Sequence, residues 1–309
     1  MSNIFRVAFF SSVLVVLLFS VNIIYDLAIP YDITEKVNWI LSKKNEEYNF
    51  AVLGSSRAYL TVHIPTIEQA LNGKGINISL EGTAYPEQYL IFYLFTNQTR
   101  ITHLLFQIDI FGLDDSTFSY PYHEYLYFPY IYNGNVFDSL LDNCGYRVYA
   151  WKYLPFFKYA EYNSQIGLIN IMKAVRGLKP VFDESGSLLI EKEWDDSTVK
   201  NMKPQVFAIS EKRLKYFLQI IELAKKRNIK VTMFMAPEYS AIYKYQTNRK
   251  DILRFYNNLA TKYNIPFLEF RDKDICEDKA NFYNAGHLNK KGALLFSDRL
   301  AKTLRTYKK

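Results

Sequence analysis

The strongest pattern along the chain is a block with no alternation at all. Residues 7–25 carry no charge, and Ser and Asn are the only polar breaks in the apolar run. That run matches the ~20 residues a helix needs to cross a bilayer. A helix buried in a soluble core usually keeps a polar stripe, and this one has none. A cleaved signal peptide would want a small-x-small site after the run, for which Ala28-Ile29-Pro30 is a poor candidate. The pattern predicts a transmembrane anchor over residues 7–29 and a polar linker with a short helix over 30–48.

Beyond the linker the period changes. Five apolar runs, 49–53, 76–80, 103–110, 230–236 and 266–270, are each flanked by turn or helix signals. Runs that stay apolar belong to strands buried on both faces, as in a parallel sheet between helices. Residues 65–71 open a helix with Pro65, and Phe207, Leu214, Phe217, Leu218, Ile221 and Ala224 predict another over 205–227. Ile252, Phe255, Tyr256 and Leu259 repeat that spacing. Asn289 is a fair N-cap for a last helix turning Ala293, Phe296, Leu300 and Leu304 inward. This alternation predicts a doubly wound α/β class: a flavodoxin-like, three-layer α/β/α sandwich on a parallel five-stranded sheet, spanning 49–309.

One stretch breaks the rhythm. Residues 114–204 separate the third and fourth runs, far more chain than a crossover needs. It is crowded with aromatics: Phe118, Tyr120, Tyr122, Tyr125, Tyr127, Phe128, Tyr130 and Tyr132. It reads as an insertion, either a lid or acceptor-binding surface over the carboxyl edge of the sheet or an irregular subdomain with its own aromatic core.

Composition adds a few exclusions. The 309 residues include 26 Tyr and 23 Phe, a load that suits packed loops or a surface meeting sugars or membrane. The net charge of +7 is spread out, so nucleic acid is not an expected partner. His63, His103 and His123 lack zinc-ligand spacing and no phosphate-cradling glycine loop appears, so neither a metal nor a cofactor is expected. Cys144 and Cys276 are either two free thiols or one disulfide in an oxidising compartment. Arg6 precedes the apolar run and Lys36, Lys43 and Lys44 follow it, so charge does not favour the N-terminus inside.

Two segments carry candidate chemistry. Ala51-Val52-Leu53-Gly54-Ser55-Ser56-Arg57 ends a buried run in a small-residue turn. Far downstream stands Phe282-Tyr283-Asn284-Ala285-Gly286-His287-Leu288-Asn289. A hydroxyl at a strand's carboxyl end and a histidine before a C-terminal helix form a proton-passing pair if folding brings them together. The ordered pair resembles the SGNH/GDSL hydrolase superfamily, in the membrane-anchored bacterial branch with Gly-Ser-Ser-Arg in place of Gly-Asp-Ser-Leu. The likeness runs from about residue 49 to the C-terminus and leaves the insertion uncovered. It implies Ser56 as nucleophile, Ser55 at the family's Asp position, Gly82 as oxyanion-hole glycine and His287 as base.

Two departures accompany it. The loop after the third run, Gln107-Ile108-Asp109-Ile110-Phe111-Gly112-Leu113, lacks the family's oxyanion Asn, and Asp109 is the nearest polar candidate. Three residues before His287 stands Asn284 in place of an Asp. An amide orients an imidazole without stabilising the imidazolium, so either the Ser56–His287 dyad works slowly, Asp274 or Asp278 substitutes, or the site is degenerate. Arg57 binds an anionic group or braces a helix, and Glu238, at the end of the fourth run, is a candidate substrate contact.

Two functions follow. One is a membrane-tethered esterase or O-acyltransferase acting on cell-envelope polysaccharide, a single-pass protein of the bacterial inner membrane with its α/β domain extracytoplasmic. That placement is implied by the resemblance. The other is a non-catalytic scaffold binding glycan or a membrane-embedded acyltransferase. An unrelated flavodoxin-like module would leave Ser56 and His287 far apart.

Overall fold

A computed structural model describes residues 3–116, 123–200 and 202–307. The chain divides into two compact units, Met1–Ser42 with Tyr122–Pro180, and Lys43–Pro121 with Val181–Lys309. Phe118, Tyr120 and Tyr122 of the aromatic stretch lie outside the described residues.

In the second unit, five strands form one sheet: β1 (Glu47–Leu53), β2 (Gly75–Asn77), β3 (Arg100–Gln107), β4 (Lys230–Met235) and β5 (Phe267–Glu269). All pair in parallel, in the order β2-β1-β3-β4-β5. Alternate residues of the central strands feed two cores. Phe50, Val52, Leu105 and Phe234 pack with Ile64 and Ile67 of the helix Ile64–Leu71 and with Phe296, Leu300 and Leu304 of Lys290–Tyr307. On the other face, Phe106 meets Tyr85 and Phe217, and Phe217 meets Tyr256. Those rings stand on the helices Tyr85–Thr96, Glu211–Lys226 and Arg249–Tyr263. The expected three-layer sandwich is thus present, with β1 and β3 buried on both sides.

Boundaries differ from expectation: β1 starts early, at Glu47, β3 spans Arg100–Gln107 where 103–110 was predicted, and two further differences have a local cause. The helix predicted over 205–227 starts at Glu211, because Ser210 caps it by accepting from the Arg213 amide. Ahead of the cap, Gln205 bridges to Gln246, while the Asn248 side chain binds both the N–H and the carbonyl of Phe207. With its backbone groups satisfied there, Phe207 has no need of a helix. The regular strand β2 ends at Asn77, whose side chain accepts from the Ser79 amide, although Ile78 and Leu80 still donate to the carbonyls of Val52 and Gly54. At the last helix Asn289 does cap, accepting from the Gly292 amide at 3.1 Å.

Part of the aromatic stretch belongs to this unit. Residues 183–195 run over it, with Ser185 accepting from the Asn77 amide, Leu188 donating to Tyr59 and Asp195 donating to Tyr283.

The first unit holds the apolar helix Asn3–Ala28, the one helix among the described residues long and apolar enough to cross a membrane, with a mean hydropathy of 2.5. Its far end is tied down. Tyr25 packs on Phe156 and Tyr159, and Asp26 accepts from Lys158 Nζ at 2.7 Å and from the Tyr159 hydroxyl at 2.5 Å. Phe128, Trp151 and Tyr162 pack beside them as an aromatic core, Tyr162 edge-on to the other two. Cys144 lies in this unit and Cys276 in the other, and the two form no disulfide.

Candidate active site

In a doubly wound sheet, side chains with room to act gather outside the carboxyl ends of the strands where the strand order reverses. Here β1 is followed in sequence by β2 on one flank and has β3 on the other, so the reversal lies between β1 and β3. Ser56 follows β1 and Asp109 follows β3. The turn after β1 needs glycine, since a Cβ on Gly54 would stand 2.6 Å from Gln107 Oε1 and 2.7 Å from Gln107 Cβ. That close approach lets Gln107 Oε1 accept from the Ser55 amide at 3.1 Å, pinning the turn to β3. Ser55 then caps the short helix Ser56–Tyr59 by accepting from the Arg57 amide, and its hydroxyl donates to Asp109 Oδ2 at 2.8 Å.

His287 reaches the same place from the other end of the chain. It sits on a two-stranded hairpin, β6 (Phe282–Asn284) and β7 (His287–Leu288), in which Asn284 pairs with His287. Ser56 Oγ and His287 Nε2 are 2.8 Å apart. His287 Nδ1 lies 3.0 Å from Asn284 Oδ1, which also accepts from the Gly286 amide at 3.0 Å. The Gly286 N–H identifies that atom of Asn284 as the carbonyl oxygen. The imidazole therefore carries its proton on Nδ1 and offers a lone pair to the Ser56 hydroxyl at Nε2. The Tyr283 ring stacks on the imidazole at 5.4 Å.

The imidazole is held neutral. Burial and, next, the positive charge of Arg57 push its pKa down to about 4, against an opposing pull from Glu238. Asp274 and Asp278, considered above as substitutes for the missing carboxylate, do not take that place. Asp274 pairs with Arg299, and Asp278 caps the Ala280 amide and pairs with Lys291.

Arg57, Asp109 and Glu238 come together, but with one another. Arg57 Nη1 binds Asp109 Oδ1 at 2.7 Å and Glu238 Oε1 at 3.2 Å, while Nη2 donates to the carbonyls of Ala236 and Pro237. Glu238 also binds Arg249 at 2.5 Å, and all four side chains are buried. Burial opposes the charge on Arg57, yet Glu238 and Asp109 raise its pKa; burial likewise opposes the charge on Glu238, yet Arg57 and Arg249 lower its pKa. Arg57 thus locks the Ser56 turn to the ends of β3 and β4. Gln107 and Arg249 escaped the sequence reading because neither stands in a motif; only the packing gives them partners.

Gly82 lies in the turn after β2 at a φ of +64°, a left-handed conformation that favours glycine. Among the described residues, neither the Ser56 amide nor the Gly82 amide has an acceptor. Ser56, Asn284 and His287 are each half-buried, so solvent or a small ligand reaches the pair. Among the described residues no group of His, Cys, Asp or Glu has an arrangement suited to a metal ion. Such a site is suited to passing a proton between a hydroxyl and a neutral imidazole.

Neither a family model nor a curated protein matches this chain. Among solved structures it is similar to a protein described as an acylhydrolase from Bacteroides fragilis NCTC 9343, at 8% identity over 84% of this chain and 88% of that one, TM-score 0.40. It is also similar to a protein described as a lipolytic protein of the G-D-S-L family from Desulfitobacterium hafniense DCB-2, at 12% identity over 82% of this chain and 98% of that one, TM-score 0.40. Likeness at this level transfers no chemistry.

Proposed function

We propose that this chain is a membrane-tethered SGNH-like enzyme that cleaves or transfers an acyl ester, with cell-envelope polysaccharide as its substrate. The observation that carries the reading is the 2.8 Å separation of Ser56 Oγ from a His287 nitrogen that has a free lone pair. Ser56 Oγ attacks the acyl carbonyl carbon as its proton passes to His287 Nε2. The Ser56 and Gly82 amides face the developing oxyanion. The bond to the leaving alcohol then breaks, and His287 returns the proton to that alcohol's oxygen. Water or a sugar hydroxyl, deprotonated by His287, releases the acyl group from Ser56. The tether is the apolar helix, and the α/β unit is placed outside the cytoplasm.

The test is labelling of the full chain with a fluorophosphonate probe. Wild type should label, Ser56→Ala should not, and His287→Ala should label at least about a hundredfold more slowly, in line with the loss of a general base. Labelling that persists unchanged in Ser56→Ala refutes the assignment. A second reading is favoured by Asn284: a scaffold that binds glycan or a membrane-embedded acyltransferase without turnover. It predicts that wild type resists the probe and that glycan binding survives Ser56→Ala.

A further inference from the structure

The helix Leu168–Arg176 belongs to the unit that carries the apolar helix. At about 100° per residue, Leu168, Ile169, Met172 and Val175 fall on one side of it. All four are exposed, Ile169 to 65% and Val175 to 82%. Asn170, on the opposite side, is buried and donates to Asp32 Oδ2 at 3.2 Å. Asp32 directly follows the turn Ile29–Tyr31 that ends the apolar helix. The aliphatic stripe therefore points away from the protein close to where the chain leaves its apolar segment.

The depth of that point follows from helix geometry. Residues 7–25 rise roughly 28 Å, close to the ~30 Å hydrocarbon thickness of a bilayer. Asp26 and the turn behind it then emerge at headgroup level, and the 168–176 helix is bonded to that turn. Arg176, on the same side in the last turn, and Lys179, just beyond the helix, are both exposed and close the stripe at its C-terminal end. Aliphatic residues edged by cations make up the composition of a helix lying in a membrane interface. Sugar rings would instead call for a flat aromatic face.

We infer that the 168–176 helix is a second membrane contact, lying in the interface of an anionic bilayer with its stripe among the upper acyl chains and Arg176 and Lys179 on lipid phosphates. This rests on the reading of Asn3–Ala28 as a membrane span, which the experiment checks separately. The full chain with Cys144→Ser, Cys276 being buried, is reconstituted in phosphatidylcholine–phosphatidylglycerol vesicles. A nitroxide is placed at Val175→Cys or, in a separate sample, at Val16→Cys. Collision with oxygen reports hydrocarbon, and collision with a water-soluble nickel chelate reports water.

Both sites should favour oxygen several-fold over nickel, with Val175 the shallower. Val175 open to nickel while Val16 favours oxygen overturns the interfacial helix and leaves the tether standing. Nickel at Val16 overturns the tether and the inference with it. A Val175 label closed to both reagents overturns the lipid contact in favour of a covering protein.

Discussion

At the scale of single residues, Asn284 decides how the dyad behaves. It fixes the tautomer of His287 but leaves the imidazolium without a counter-charge, and burial beside Arg57 holds the pKa at about 4. In the proposed reaction the base is the neutral form, so activity is expected to fall only as pH drops through that low value. The acid limb of kcat/KM is expected near pH 4, with no break between pH 6 and 7. Asn284→Asp supplies the missing charge and favours the protonated ring. The expected result is an acid limb displaced upward, together with a rise in kcat on the order of tenfold, measured on a p-nitrophenyl ester across pH. The exchange of Asp for Asn in a serine protease triad runs the other way and is larger. Gly54 is equally constrained. Gly54→Ala presses a methyl into the β carbons of Gln107 and Ala58, and should cost roughly 1–3 kcal/mol in urea denaturation while slowing probe labelling.

At the scale of elements, the Ser56 turn, the end of β3 and the end of β4 are bound into one body through Arg57. Arg57→Met leaves Asp109 and Glu238 buried, with Arg249 a remaining cation for Glu238 and only neutral donors, Ser55 and Gln107, for Asp109. Breaking such a buried pair costs about 3–5 kcal/mol, which a fall in Tm will register. The helix Glu211–Lys226 offers a smaller test. Ser210→Ala removes its cap and should cost about 1 kcal/mol with no change in labelling, because nothing at the dyad depends on that cap.

At the scale of the whole molecule, the chain is two compact units, and the long aromatic stretch is shared between them. Residues 123–180 build a base around the end of the apolar helix, through Asp26, Lys158 and Tyr159. Residues 183–195 instead lie on the α/β unit, where Asp195 donates to the backbone of Tyr283 in the His287 hairpin. One insertion in sequence thus supplies a foot for the apolar helix and a strap for the hairpin. Nothing in its composition foretold that division, because Tyr and Phe pack equally well in either place.

The apolar runs and helical spacings were enough to determine the parallel sandwich, since burial on both faces leaves strands no polar positions. The glycine and serine after β1 marked the site's place for the same reason: a buried strand must end in small residues where another strand crowds it. What the linear pattern left open was partnership. Whether Arg57 faced a ligand or a carboxylate depended on residues up to 181 positions away, such as Glu238, and whether a carboxylate displaced Asn284 behind His287 depended on where Asp274 and Asp278 found partners. Contacts of that kind carry no local period, and only the closing of the sheet brought those charges together.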